Sequence, residues 1–288
     1  FSRIAMVMKR EIMENWKTNL YRLIGIYAAF ALVMILHMWT MSSGRSSQIS
    51  FTAYCSNIMG TFVFIIGIAS IAYAANIMEN MITKEKRIAF LMLPATMIEK
   101  FVARFLIVTV GMAAAIIVAA SLAEITRYLV LPLFNLPEAF HQSVLYHLLS
   151  MAAIDGEQVF RGSGSALNMS YQNWLGELCG WAFLVWSHSL YILGGSYWYK
   201  IPFFKTLGTL MLISILCSVL SVHIISWVGN DGMRSFAEWL EANFQWVTLN
   251  KLLSLGVAFF SAFTMFNWWL SYRLFTRSQV IKPKFRLL

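Results

Sequence analysis

Six predominantly apolar runs, over residues 19–41, 52–78, 102–124, 174–198, 204–228 and 250–274, set what this chain can fold into. Each is longer than the roughly 20 residues that an α-helix needs to cross about 30 Å of hydrocarbon. None has an acidic residue near its middle. Inside lipid no water is present to pair with an open backbone, so runs of this length are expected as helices. With 59% hydrophobic and 12% charged residues, the chain lies far from a soluble domain, where about 25% of residues are charged. The expectation is an all-α, polytopic membrane protein with six transmembrane helices, residues 1–288 forming a single transmembrane domain.

The formal charge of +9 first suggests nucleic acid as a partner, but its placement argues for topology instead. With the N-terminus inside, 17 of the 22 basic residues fall on the cytoplasmic side, and only Arg45, Arg127, Arg161, Arg234 and Lys251 fall outside. Both termini are therefore expected in the cytoplasm, and no nucleic-acid partner is expected.

The connections carry their own patterns. Residues 1–17 read as an amphipathic helix lying in the interface, with an apolar stripe of Ile4, Met8, Ile12 and Trp16. Arg3, Arg10, Glu14 and Lys17 fall on another side, within reach of lipid headgroups. Residues 125–173 form a long outer segment in which Phe140, Val144, Leu145, Leu148, Leu149 and Ala152 recur at helical spacing, which suggests an outer surface helix. Residues 229–249 repeat that theme with Phe236, Trp239, Leu240 and Phe244 on one face.

Residues 79–100, between the second and third spans, are the most informative. A charged cluster from Lys84 to Arg87 leads into an apolar cluster from Ile88 to Leu93. Pro94 removes an amide donor and turns Leu93 away from helix, so a short helix should end there. Thr96 and Glu99 have capping-box spacing, which predicts that the third transmembrane helix starts near Met97. Phe90, Leu91, Met92 and Leu93 are too few to span and too apolar for water, so they call for headgroups or for a groove on another protein. From the residues alone these two readings stand level.

Several chemistries lack their residues. No Gly is followed by Lys, so the chain has no G-x-x-x-x-G-K-[ST] phosphate loop of its own. The polar groups at depth are His37, Asn57, Asn76, His188, His223 and Asn267, a poor inventory for ion coupling. Cys55, Cys179 and Cys217 show no metal or redox spacing, and no Ser/His/Asp arrangement stands out. No cofactor or metal is expected in this chain, and no enzymatic activity. Gly111, Ala115, Ala119 and Ala123 give the third span a small face, while Ser214, Ser218 and Ser221 form a small polar stripe on the fifth. With His37 and His223, that stripe is the candidate lining of a path or of a dimer interface.

The order of parts resembles the permease subunits of bacterial ABC transporters of the ABC-2 (type V exporter) class. The resemblance is most specific in Phe90-Leu-Met-Leu-Pro-Ala-Thr-Met-Ile-Glu-Lys-Phe-Val-Ala-Arg104. It implies a half-transporter in the bacterial cytoplasmic (inner) membrane. Two permease copies, identical or related, would work with separate ATPase subunits that carry ATP and Mg. It makes residues 79–100 a cytoplasmic coupling region, with Lys84, Glu85, Arg87, Phe90, Leu91 and Pro94 meeting the ATPase. The substrate is left unidentified, with a mild preference for something amphipathic. On that reading Phe90→Asp or Leu91→Asp should uncouple the ATPase and leave membrane insertion intact. The alternative is a non-transporting membrane scaffold or sensor that binds a partner through its outer segments.

Overall fold

Helix boundaries follow the chain's own punctuation. The computed structural model describes residues 2–43, 50–152, 157–161, 168–198, 200–243 and 248–277. Six helical stretches are long and apolar enough to cross a membrane: Trp16–Ser42, Phe51–Met81, Met97–Leu133, Asn173–Tyr197, Pro202–Gly229 and Leu249–Thr276. The chain is a multi-pass membrane protein built from helices. Within what the sequence reads as one transmembrane domain, it packs as two compact units.

The first unit is Phe1–Ile154 with Tyr272–Leu288. It opens with α1 (Ser2–Glu14), which breaks at Asn15 before α2 (Trp16–Ser42). After α3 (Phe51–Ala75) the chain tightens into a 3₁₀ stretch at Asn76–Met81, then forms the eight-residue α4 (Lys84–Leu91). Thr96 starts α5 (Met97–Leu106) with a complete capping box. Its side chain accepts from Glu99 N at 3.2 Å, and the Glu99 carboxylate accepts from Thr96 N at 2.8 Å. A π-helical turn at Ile107–Gly111 joins α5 to α6 (Met112–Val130), so the third span outruns its predicted end by a turn and more.

The core of this unit forms where α2 meets α3 and α6. Ala119 and Ala123 are fully buried where α2 and α6 pack, whereas Ala115 and Gly111 of the same small-residue face are half-buried and exposed. Phe30 and Phe62 meet with ring centroids 4.5 Å apart, and the Tyr54 hydroxyl donates to Met34 O at 3.1 Å. In residues 125–173, read from the sequence as an outer segment, the apolar periodicity resolves into two pieces. Phe140 sits in a 3₁₀ turn (Glu138–His141), and α7 covers Val144–Ala152. Phe140 and Val144 are fully buried against the core, so this is no free surface helix, although Leu149 stays exposed.

The second unit is Asp155–Ser271. A short antiparallel ribbon, β1 (Glu157–Arg161) with β2 (Asn168–Gln172), interrupts the helices and leaves the all-α class intact. It runs directly into α8 (Asn173–Tyr197), and Gln172 N donates to Asn250 Oδ1 at 3.0 Å. Next comes α9 (Pro202–Asn243), broken at Gly229, whose φ of 69° belongs to the region that glycine tolerates best. The break separates the fifth span from the predicted outer segment 229–249. Within that segment, Phe236, Leu240 and Phe244 lie outside the described side chains. The last helix is α10 (Leu249–Thr276), whose final turn belongs to the first unit. Asn267 Nδ2 donates to Ser189 Oγ at 2.9 Å, and the Ser196 and Ser271 hydroxyls pair, so α8 and α10 are joined by polar side chains.

α8 and α9 pack closely at Gly194. A Cβ built there would lie 2.0 Å from Thr206 Oγ1, which is already bonded to Pro202 O at 2.8 Å. Gly194→Ala is expected to force these helices apart at a cost of about 1–3 kcal/mol, as overpacking does. The expected outcome is a lower melting temperature in detergent, restored in part by Thr206→Ala in the same chain.

Candidate functional site

Where the second span stops, its last carbonyls lose their intrahelical partners and need donors from elsewhere. Two basic side chains supply them, and a third closes the helix that follows. Arg104, on α5, donates from Nε to Ile77 O and from Nη2 to Asn76 O, both at 2.8 Å. Arg87, on α4, donates from Nη2 to Met81 O at 2.8 Å. Lys100, on α5, donates from Nζ to Leu91 O at 2.7 Å and so closes the end of α4. All three residues are buried.

One carboxylate draws this network onto the N-terminal helix. Glu11, 4% exposed, accepts from Arg104 Nη1 at 2.7 Å and from the Asn80 side-chain amide. A second pair flanks it. Arg22 lies 3.0 Å from Glu79 and stacks over the Tyr73 ring with its guanidinium 5.3 Å from the centroid. The result ties α1, the end of the second span, α4 and the start of the third span into one block.

The face of α1 that meets α5 therefore differs from the apolar stripe read in the sequence. Val7 and Glu11 are buried, Ile4 and Met8 sit at the margin, and Ile12 and Trp16 are exposed. The inward face was selected by an ion pair with a residue 93 positions away, a partner that helical periodicity cannot reveal.

Along α4 the predicted residues divide. Lys84, Glu85 and Pro94 are exposed, and Leu91 is half-buried. Phe90 and Arg87 turn inward instead of outward, each 4% exposed. Phe90 packs 6.2 Å from Phe275, which also meets Phe101 at 5.8 Å. Phe90→Asp would place an acid in this aromatic cluster, so it tests the fold and not a surface. Lys86 and Ala89 are exposed as well, and Met92, of the apolar cluster read in the sequence, is 78% exposed.

The remaining candidates are spread over both units. His37, in the first unit, is half-buried with Nδ1 2.9 Å from Val33 O. Ser214, Ser218, Ser221 and His223, in the second, lie exposed on α9. Ser218 donates to Ser214 O at 2.9 Å and Ser221 to Cys217 O at 2.8 Å, so those hydroxyls are satisfied on their own helix. Among the described residues no group of three or more His, Cys, Asp or Glu is placed to hold a metal.

A second knot closes the far end of α6. Arg127, fully buried, donates to Phe140 O at 2.7 Å and Gln142 O at 2.8 Å and pairs with Glu124 at 2.9 Å. Glu124 accepts from Val144 N at 3.0 Å and Leu145 N at 3.3 Å, the first amides of α7. The sequence signal was an i,i+3 acid–base pair just past an apolar run. Compared with known protein families, characterised proteins and solved structures, the chain matches none.

Breaking a buried ion pair on one side leaves an uncompensated charge, at a cost of roughly 3–5 kcal/mol. Arg104→Met is therefore expected to lower the detergent melting temperature sharply. Adding Glu11→Met to the same chain should recover part of that loss. A double-mutant cycle over Glu11 and Arg104 measures the coupling.

Proposed function

We propose that this chain is the membrane-spanning permease subunit of an ATP-driven exporter of the ABC-2 class. It works in a bacterial cytoplasmic membrane with both termini in the cytoplasm. A separate ATPase subunit binds ATP and Mg, and two permease copies, identical or related, share the path. The cargo is an unidentified, amphipathic molecule.

The observation that carries this reading is the mounting of α4. A helix of eight residues stands between two spans, with its start held by Arg87 on Met81 O and its end by Lys100 on Leu91 O. Close-packed interiors are stiff and pass strain on. A load on the outward side of α4 would thus reach the ends of both spans together. Lys84, Glu85, Lys86, Ala89 and Met92 are the outward residues, and they form the proposed ATPase contact. Arg87 and Phe90 act as its mountings. On α9, the stripe of Ser214, Ser218 and Ser221 has the small side chains that close helix pairing favours, and it is the proposed contact between permease copies.

The scaffold reading also has an observation in its favour, the buried Glu124–Arg127 knot that fixes the start of α7. The two readings part on an ATPase. In gentle detergent, an ATP-binding subunit is expected to co-purify with the chain. Met92→Asp with Lys84→Glu should cut that recovery about tenfold or more, the size of a lost interface hot spot. The melting temperature of the variant should not change. Undiminished recovery of the ATPase by this variant sinks the coupling assignment, and a chain that purifies alone favours the scaffold.

A further inference from the structure

Among the described residues, the side of α1 that carries Lys9 and Met13 stays exposed once Val7 and Glu11 have gone to α5. Its charge is one-sided. Arg3, Lys9, Arg10 and Lys17 are exposed, whereas Glu11 is turned inward onto Arg104 and Asn80. The exposed acid on this helix is Glu14, 3.8 Å from Arg10. Large apolar side chains alternate with these cations along α1 and over the first residues of α2. Met6 is 61% exposed, Met13 65% and Trp16 55%, and Ile12 is exposed beside them. Met6, Lys9, Arg10, Met13 and Glu14 line a shallow groove along the helix. The Lys17 ammonium lies 5.8 Å from the Trp16 ring centroid.

The level of α1 is fixed by its neighbours. One residue separates it from the first span, which begins at Trp16. The Glu11–Arg104 pair holds it beside the opening turns of the third span. With these stretches taken as spans, that level is where hydrocarbon would give way to headgroups. Cations interleaved with Met, Ile and Trp suit this layer, where ammonium and guanidinium groups reach phosphates while their stems stay apolar. An acidic protein surface would satisfy the charges and leave the apolar side chains in water.

We infer that the outward face of α1, together with the first residues of α2, is a binding surface for anionic phospholipid, with Lys9, Arg10 and Lys17 on the headgroups and Met6, Ile12, Met13 and Trp16 among the upper acyl segments. Neutral lipid offers the apolar half of that contact but no net charge for the cations. This inference does not rest on the transport reading and is tested without an ATPase.

The experiment is native mass spectrometry of the detergent-purified full chain with phosphatidylglycerol or phosphatidylcholine added. Each basic residue near an anionic surface contributes about fivefold in affinity, so Lys9→Gln/Arg10→Gln/Lys17→Gln should weaken phosphatidylglycerol binding by on the order of 100-fold. Phosphatidylcholine binding should stay level. None of the three residues belongs to the Glu11–Arg104 network, so the lipid-free melting temperature of the variant should match that of the parent. Glu14→Lys, read in parallel, should tighten phosphatidylglycerol binding severalfold. Equal retention of the two lipids by the parent chain overturns the inference, as does undiminished phosphatidylglycerol binding by the triple variant. Protection by soluble glycerol phosphate equal to that by phosphatidylglycerol would make the ligand a free phosphate and overturn the membrane source. Loss of a co-purifying protein with lipid binding unchanged would put an acidic protein surface there instead.

Discussion

A helix that ends at a membrane surface leaves up to four carbonyls without partners, and the first unit is organised around that debt. Arg104 reaches across from the third span to two carbonyls at the end of the second, Arg87 reaches back to a third, and Lys100 closes α4. The C-terminal end of a helix carries partial negative charge, so a cation there gains twice, from the hydrogen bond and from the dipole. This is how three buried cations are accommodated beside Glu11, which pairs directly with Arg104. The carbonyls carry the balance of the charge. It also gives the basic residues of this connection a structural task besides any role in topology.

The far end of the same span has a knot of the opposite composition. There Glu124 meets amides that begin α7, where a helix carries partial positive charge, while Arg127 meets carbonyls of the turn before it. The third span is thus pinned at both ends by side chains matched to the backbone poles they face. Between the two knots lies the π-helical turn at Ile107–Gly111, where the backbone ladder is locally re-spaced. Thr109 donates there to Phe105 O at 2.7 Å. Such turns are where long helices change direction or register. A span fixed at both ends and loosened in the middle has its place of give defined by geometry.

Local signals in the sequence were read correctly where the deciding physics was also local. Six apolar runs became six span-length helices, the Thr96–Glu99 box starts α5 at Met97, and the short helix before Pro94 formed over Lys84–Leu91. Features set by distant partners were not legible. The inward face of α1 is chosen by Arg104, and the inward turn of Phe90 by Phe275, 185 residues on. A hydrophobic stripe predicts which face avoids water, but in a membrane protein both lipid and protein offer that escape. On α1 the apolar Ile12 stayed outside, as did Trp16 at the start of α2, and an acid went in. The ribbon at β1 and β2 was missed for another reason, since its strands are short and joined to a span with no linker.

The same reasoning fixes how exposure should be weighed along α9. Residues 211–228 are exposed throughout, yet in lipid an apolar helix needs no protein to cover it. Its hydroxyls are equally undemanding, because Ser218 and Ser221 are satisfied by carbonyls one turn back. Contrast Glu11 and Arg104, which are buried and have no local substitute for each other. Where apolar surface costs nothing to leave open, apolar area cannot say which parts of the chain are joined. Polar groups withdrawn from water can, because each must find its partner inside the protein. By that measure the joint between α1, α4 and the paired ends of the second and third spans is the most strongly specified place in the first unit.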